Sequence, residues 1–135
     1  MCGGDAAGFP NPTSGGGVYT GVRSARHAAS GAVAACESGD LSDASLSAYE
    51  KRWKADFGRE LDLGLKALNL RRTLTANEID TAIDALNTPE TLELITQAGD
   101  MDRPSSLLLK LMKKPELIST FGILGMKSMI RSMII

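Results

Sequence analysis

Apolar positions along this chain keep mostly to a helical spacing, and the pattern starts abruptly at Val18. Residues 17–38 are rich in alanine and interrupted by Gly21 and Gly31, and a Ser38-Gly39-Asp40 turn should end this first helix. Within it Gly17, Gly21, Ala25, Ala28, Ala32 and Ala35 recur every three or four residues. That spacing predicts a stripe of very small side chains on one face. A stripe of this kind suits close packing, or the close approach of a backbone or cofactor.

A second helix is predicted from Ser42 or Asp43 to about Asn69, with Leu46, Tyr49, Trp53, Phe57, Leu61, Leu65 and Leu68 in helical period. Lys51, Arg52, Lys54 and Arg59 fall between them, which reads as core on one side and solvated charge on the other. Thr75-Ala76-Asn77-Glu78 fits a capping box. Thr88-Pro89 fits an N-cap followed by proline at the first helical position, with Gly99 as that helix's stop. Pro104 and Pro115 each read as first-turn prolines. The expected helices are therefore near 76–87, 89–98, 104–113 and 115–134, with no strand after residue 5 and no internal repeat. The last helix is the most apolar, from Leu117 to Ile135, but Lys127 and Arg131 interrupt it. A membrane span needs roughly 20 predominantly apolar residues, so an interfacial or packed helix is the better expectation.

Charge divides the chain. Residues 1–102 hold nine Lys or Arg against fifteen Asp or Glu, a balance of −6. Residues 103–135 hold six (Arg103, Lys110, Lys113, Lys114, Lys127, Arg131) against Glu116, a balance of +5. A basic, apolar tail favours an anionic membrane surface, or balances an acidic body as a solvated face. Composition is that of an ordinary soluble domain, 43 % apolar and 23 % charged over 135 residues. Cys2 and Cys36 match no metal-ligand spacing and no disulfide framework, and no secretory signal is read before residue 4. A cytoplasmic protein without a metal or a nucleic-acid partner is expected, peripheral at the inner face of the membrane if the tail docks there.

The candidate chemistry lies ahead of the first helix. Eight of the fourteen glycines fall in residues 1–31, and residues 4–21 read GDAAGFPNPTSGGGVYTG. A strand leading into Gly4-Asp5 would place the Asp5 carboxylate at a strand end, able to accept hydrogen bonds from sugar hydroxyls. Ala6 and Ala7 leave room for a bulky ligand. Pro10 and Pro12 stiffen the corner by fixing φ. Gly15, Gly16 and Gly17 allow close backbone approach and leave amides free. The helix starting there carries roughly half a positive elementary charge at its amino end, which stabilises an anion. His27 reads as a surface or hydrogen-bonded histidine. Tyr19 bounds a pocket or packs at the helix start, and Cys2 fills a strand.

Gly4-Asp5-Ala6-Ala7-Gly8, Asn11-Pro12 and Gly15-Gly16-Gly17-Val18-Tyr19 resemble the second flavin motif of the geranylgeranyl reductase family, within the flavoproteins similar to para-hydroxybenzoate hydroxylase. Pro10 and Thr13-Ser14 depart from the usual pattern. Tyr49-Glu50-Lys51-Arg52-Trp53 resembles the family's helix after the flavin site, and Leu74–Lys114 resembles the tail of archaeal members. By that resemblance Asp5, Pro12, Gly15, Gly16, Gly17 and Val18 bind FAD, with Asp5 on the ribityl chain and the others over the ring. The resemblance also implies a mainly α chain forming the carboxy-terminal segment of an α/β FAD-binding fold. Residues 1–38 would carry the flavin motif and its helix, and residues 39–135 a helical carboxy-terminal region. The implied activity is saturation of prenyl (geranylgeranyl) double bonds in archaeal membrane-lipid precursors, so a prenylated lipid is the expected substrate. No catalytic residue, proton donor or electron donor is assigned. The Gly-x-Gly-x-x-Gly fingerprint that holds the FAD pyrophosphate in such proteins has no match here. The chain alone is therefore expected to lack reductase activity. A monooxygenase of the same superfamily shares the motif, and a non-enzymatic helical membrane- or partner-binding fragment remains the other reading.

Overall fold

The structure, a computed structural model, describes residues 1–132. Met133, Ile134 and Ile135, expected at the apolar end of the last helix, lie outside the described residues. Among those described, the chain is mainly helical and has no strand: α1 (Val18–Ser38), α2 (Asp43–Trp53), α3 (Arg59–Thr73), α4 (Ala76–Leu86), α5 (Pro89–Ala98), α6 (Pro104–Leu111) and α7 (Pro115–Ser132). No helix of the described residues is long and apolar enough to cross a membrane. The chain divides into two compact units, Met1–Gly64 and the residues from Leu65 onward.

In the first unit α1 packs against α2. The buried face of α1 is Thr20, Ser24 and Ala35, with Gly31 partly covered. This corrects the expected stripe in part: Ala25 and Ala32 are exposed and a Cβ at Gly21 would meet nothing, whereas Ala35 is buried and Ala28 half-buried as expected. In the first two turns the buried face runs one position away, at Thr20 and Ser24, because two hydroxyls bury cheaply. Thr20 Oγ1 donates to the Gly17 carbonyl (3.3 Å) and Ser24 Oγ to that of Gly21 (2.9 Å), so neither enters the core unsatisfied. Gly39 ends α1 with φ 66°, as the Ser38-Gly39-Asp40 turn predicts.

The predicted second helix is helical from Asp43 to Thr73 but is not regular throughout. A π-helical turn, Lys54–Gly58, joins α2 to α3. Ser42 caps α2 by accepting from the Ser45 amide. Within the π turn Phe57 is buried against Phe9 and Trp53, and the half-buried Asp56 reaches Arg23 and His27 of α1.

The second unit follows the expected signals closely. Thr75 and Glu78 form the full capping box at the start of α4, and Thr88 caps α5 ahead of Pro89. Pro104 and Pro115 open α6 and α7. α4 packs on α7 and α5 on α6. Leu117 and Leu124, two turns apart on α7, are buried. Glu78 does double duty: besides capping α4 it accepts 2.7 and 2.8 Å bonds from the two Nη atoms of Arg131. Arg131 also donates to the Thr73 carbonyl (2.7 Å), and Thr73 Oγ1 meets Ser128 Oγ at 2.6 Å. The Arg131 guanidinium and the Thr75 amide hold the Glu78 carboxyl down to about 2.

Candidate functional site

The glycine- and proline-rich segment forms one folded loop in front of α1. Where a strand end was expected, Gly4–Ala7 is a 3₁₀ turn instead. Gly4 (φ 59°) and Gly8 (φ 72°) are both left-handed, which closes the chain too tightly for an extended strand. The turn is tied down on both sides. The Gly4 amide donates to Ser24 Oγ (3.1 Å), and Tyr49 Oη donates to the Cys2 carbonyl (2.5 Å). Burial, with the Cys2 thiol adding to it, pushes the Tyr49 phenol above its ordinary value, so it remains a donor. Cys2 itself is exposed.

Phe9 fixes the next step. It is buried, with its ring 4.6 Å from Trp53 and 5.3 Å from Phe57 by centroid. The aromatic residues of the second helix therefore hold the loop in place. Beyond Pro10 the organiser is Asn11. Its Oδ1 accepts from the Thr13 amide (2.9 Å), Thr13 Oγ1 (2.7 Å) and the Ser14 amide (3.4 Å). Its backbone amide donates to the Gly16 carbonyl and its carbonyl accepts from Gly15, each at 2.8 Å. The Pro12 ring rests on Gly64 of α3, where a Cβ would come within 2.9 Å of Pro12 Cδ.

The expected site residues take different positions in this loop. Asp5 and Gly17 come together: a Cβ at Gly17 would lie 2.6 Å from Asp5 Oδ1 and 3.6 Å from Pro10 Cγ. Gly17 is the N-cap of α1, with no capping side chain and no acidic residue in the first turn. The exposed Asp5 carboxylate thus sits at a helix start whose first-turn amides have no partner within the helix. Val18 opens that turn and is 84 % exposed. Pro12 faces α3. Gly15 needs its φ of 74°. The amides of Gly15 and Gly16 are not free as expected, because they donate to the Asn11 carbonyl and to Ser14 Oγ (3.2 Å).

Sequence reasoning passed over Asn11, although an Asn in a Pro/Gly loop is the signal for a side chain that closes a turn on itself. His27, expected as a surface or hydrogen-bonded histidine, is hydrogen-bonded, and its partner is Asp56. His27 Nε2 lies 2.8 Å from Asp56 Oδ2, and Arg23 Nε donates to the same oxygen at 2.7 Å. An Arg23 Nη pairs with the other Asp56 oxygen, and Arg23 Nη1 donates to Tyr19 Oη (3.2 Å). Burial pushes the Asp56 carboxyl up, but the bonds from Arg23 and His27 outweigh it and hold it below the usual carboxylate range. Tyr19 is thus a packed, hydrogen-bonded ring beneath the Arg23 guanidinium, 5.5 Å from centroid. No group of His, Cys, Asp and Glu that could hold a metal occurs among the described residues.

No protein-family model matches the chain, and no solved structure matches it with significance. Curated proteins do. An uncharacterized protein of Methanocaldococcus jannaschii is 35 % identical over 90 % of this chain and 30 % of its own length. The digeranylgeranylglycerophospholipid reductase of the same organism is 31 % identical over 87 % of the chain and 28 % of its own length. Digeranylgeranylglycerophospholipid reductase 2 of Methanopyrus kandleri is 34 % identical over 68 % of the chain and 23 % of its own length. The chain spans less than a third of the length of these relatives. In sequence, therefore, this chain corresponds to a carboxy-terminal portion of the archaeal digeranylgeranylglycerophospholipid reductase family.

Proposed function

We propose that this chain supplies the flavin-ring end of an FAD-dependent reductase that saturates prenyl double bonds in archaeal membrane-lipid precursors. The observation that carries the reading is the meeting of Asp5 and Gly17 at the uncapped start of α1. An exposed carboxylate accepts hydrogen bonds from ribityl hydroxyls. The adjacent helix terminus favours negative charge at a flavin's carbonyl edge. The bare Cα of Gly17 lets the Asp5 carboxylate and the rigid Pro10–Pro12 corner close in on that helix start. The names of the reductase relatives support the substrate class.

These residues fit one end of FAD, the ring and ribityl chain, and none of them forms a cradle for the pyrophosphate and adenine. Bound there, FAD would supply hydride for C=C saturation. The residues of this chain bind and orient. Asp5 holds a hydroxyl. The first turn of α1 supplies donors and its positive end. Asn11, Tyr49, Phe9 and Trp53 fix the loop so that both face one spot.

The substrate class also bears on the basic, apolar segment from Arg103 onward. We propose it as a peripheral contact with an anionic membrane at its cytoplasmic face. Lys110 and Lys113 are exposed beside Leu108, Leu109 and Met112, and Met126 and Ile130 are exposed on α7. Lys114, Lys127 and Arg131 are engaged within the unit, with Thr91 and Glu78, so Lys110 and Lys113 carry the docking charge.

A chimera tests the flavin reading. Residues 1–38 replace the matching segment of the M. kandleri reductase, and bound flavin is read from the absorbance of the purified protein. The chimera should retain flavin, and its Asp5→Ala variant should lose occupancy, since one charge-assisted hydrogen bond contributes about 1.5–3 kcal/mol. Full occupancy and an unchanged potential in the Asp5→Ala chimera would refute the assignment of Asp5.

A further inference from the structure

Between α1 and the end of α2 lies an open cleft of about 610 Å³, in the first unit and separate from the loop that carries Asp5. Arg23, Arg26 and His27 line one wall from α1; Arg52 and Asp56 line the other from α2 and the π turn. Three of the nine basic residues in residues 1–102, and the chain's sole histidine, converge here, although that stretch carries fifteen carboxylates. Only one of those carboxylates, Asp56, lines the cleft.

Asp56 is already committed. Both its oxygens are taken by Arg23, and Oδ2 also meets His27. One negative charge thus offsets one guanidinium, and the cleft keeps a surplus of two from Arg26 and Arg52. Neither is in an ion pair of the described residues, and Arg52 is only half exposed. Like charges at a helix–helix seam repel, most strongly where water is partly excluded. An acidic chain that gathers cations at one seam is most stable when an anion lies between them. Guanidinium groups on opposite walls suit a tetrahedral oxyanion, because each presents a planar fork of donors to two oxygens. The volume lies within the roughly 300–1,000 Å³ of small-molecule sites, leaving room for more than a bare ion.

We propose that this cleft is a phosphoryl-anion site, with Arg26 and Arg52 as the ligating groups. Asp56 is a positioning residue that fixes Arg23 and His27 as its floor. The ligand is a phosphate or phosphate ester, whose source is either free phosphate or a lipid headgroup. The proposal goes beyond the flavin reading and does not depend on it.

The test uses the full chain. Calorimetric titration with inorganic phosphate, and separately with water-soluble glycerol 1-phosphate, is compared with chloride at matched ionic strength, because exposed arginines also attract anions weakly through screened charge. The wild type should bind at least one phosphate compound saturably with a stoichiometry of one. Arg26→Gln/Arg52→Gln, which keeps good helix formers in place, should weaken binding about tenfold or more. Lys66→Gln/Arg71→Gln, with the same charge change outside the cleft, should leave affinity within about twofold. Preference for the glycerol ester identifies a headgroup, and equal or stronger binding of inorganic phosphate identifies the free anion. Absence of saturable binding by a folded wild type, or equal weakening in both double variants, would overturn the proposal whatever the flavin experiments show.

Discussion

Two glycine-to-alanine changes in the first unit should shift stability in opposite directions. Both glycines are helical, Gly21 in α1 and Gly64 in α3. A Cβ at Gly21 meets nothing within 4 Å. Gly21→Ala should therefore stabilise by about 0.5–1 kcal/mol, the ordinary gain from restricting the unfolded backbone. A Cβ at Gly64 would lie 2.9 Å from Pro12 Cδ and 3.3 Å from Cγ. The obstacle is a ring with no rotamer to change to, on a loop whose Asn11 and Gly15–Gly16 hydrogen bonds resist displacement. Overpacking of that kind costs about 1–3 kcal/mol, so after the propensity gain Gly64→Ala should destabilise by about 1 kcal/mol. Trp53 is the chain's sole tryptophan and packs on Phe9 beside this loop, so its fluorescence reports the first unit. On a unit of this size 1 kcal/mol moves the midpoint by about 4–8 °C, and the two variants should separate by about 10 °C. If Gly64→Ala is as stabilising as Gly21→Ala, Pro12 does not brace the loop against α3, and the rigidity of the Pro10–Pro12 corner loses its support.

The second unit should show an acid-sensitive step of its own. Glu78 is held down to about 2 from an ordinary 4.5, so its contribution is complete above 4.5 and lost as pH falls from there toward 2. Urea midpoints of wild type and Glu78→Gln should lie closer together at pH 3 than at pH 7; a constant difference between them would refute the role of the ionised pair. Membrane docking predicts that Lys110→Glu/Lys113→Glu lowers sedimentation with anionic vesicles at low salt and matters little at high salt, since each lysine near such a surface contributes about 1 kcal/mol. Equal sedimentation of both proteins with anionic and neutral vesicles would remove the support for docking.

Helix starts were the most legible feature, because each is set by local chemistry. Thr75-Glu78, Thr88-Pro89, Pro104 and Pro115 satisfy or remove orphan amides within a few residues of themselves. What failed to read through depended on partners far along the chain. The buried face of α1 was misplaced because Ser24 counts as polar, yet its hydroxyl both satisfies itself on Gly21 and receives the Gly4 amide twenty residues away. The break at Lys54–Gly58 has no proline or glycine cluster to announce it. It follows from packing Phe57 beneath Phe9 while Asp56 reaches Arg23 and His27. The strand end expected at Asp5 is a 3₁₀ turn instead, closed by the left-handed Gly4 and Gly8.

The candidate site divides along the same line. Its residue types were legible because a carboxylate, a bare Cα and a helix start are properties of single positions. How they are held was not, because the loop has almost no apolar content of its own beyond Phe9. It borrows rigidity from α2 through Tyr49 and Trp53, and from α3 through Gly64. The stretch Tyr49–Trp53 thus has a physical reason to accompany the glycine-rich motif: without those rings, Asp5 and Gly17 would belong to a loop too floppy to aim a carboxylate and a helix terminus at the same spot. The residues that orient the site are accordingly more than thirty positions from it in sequence, and substitutions at Tyr49 or Trp53 should disturb ligand binding without touching the ligand.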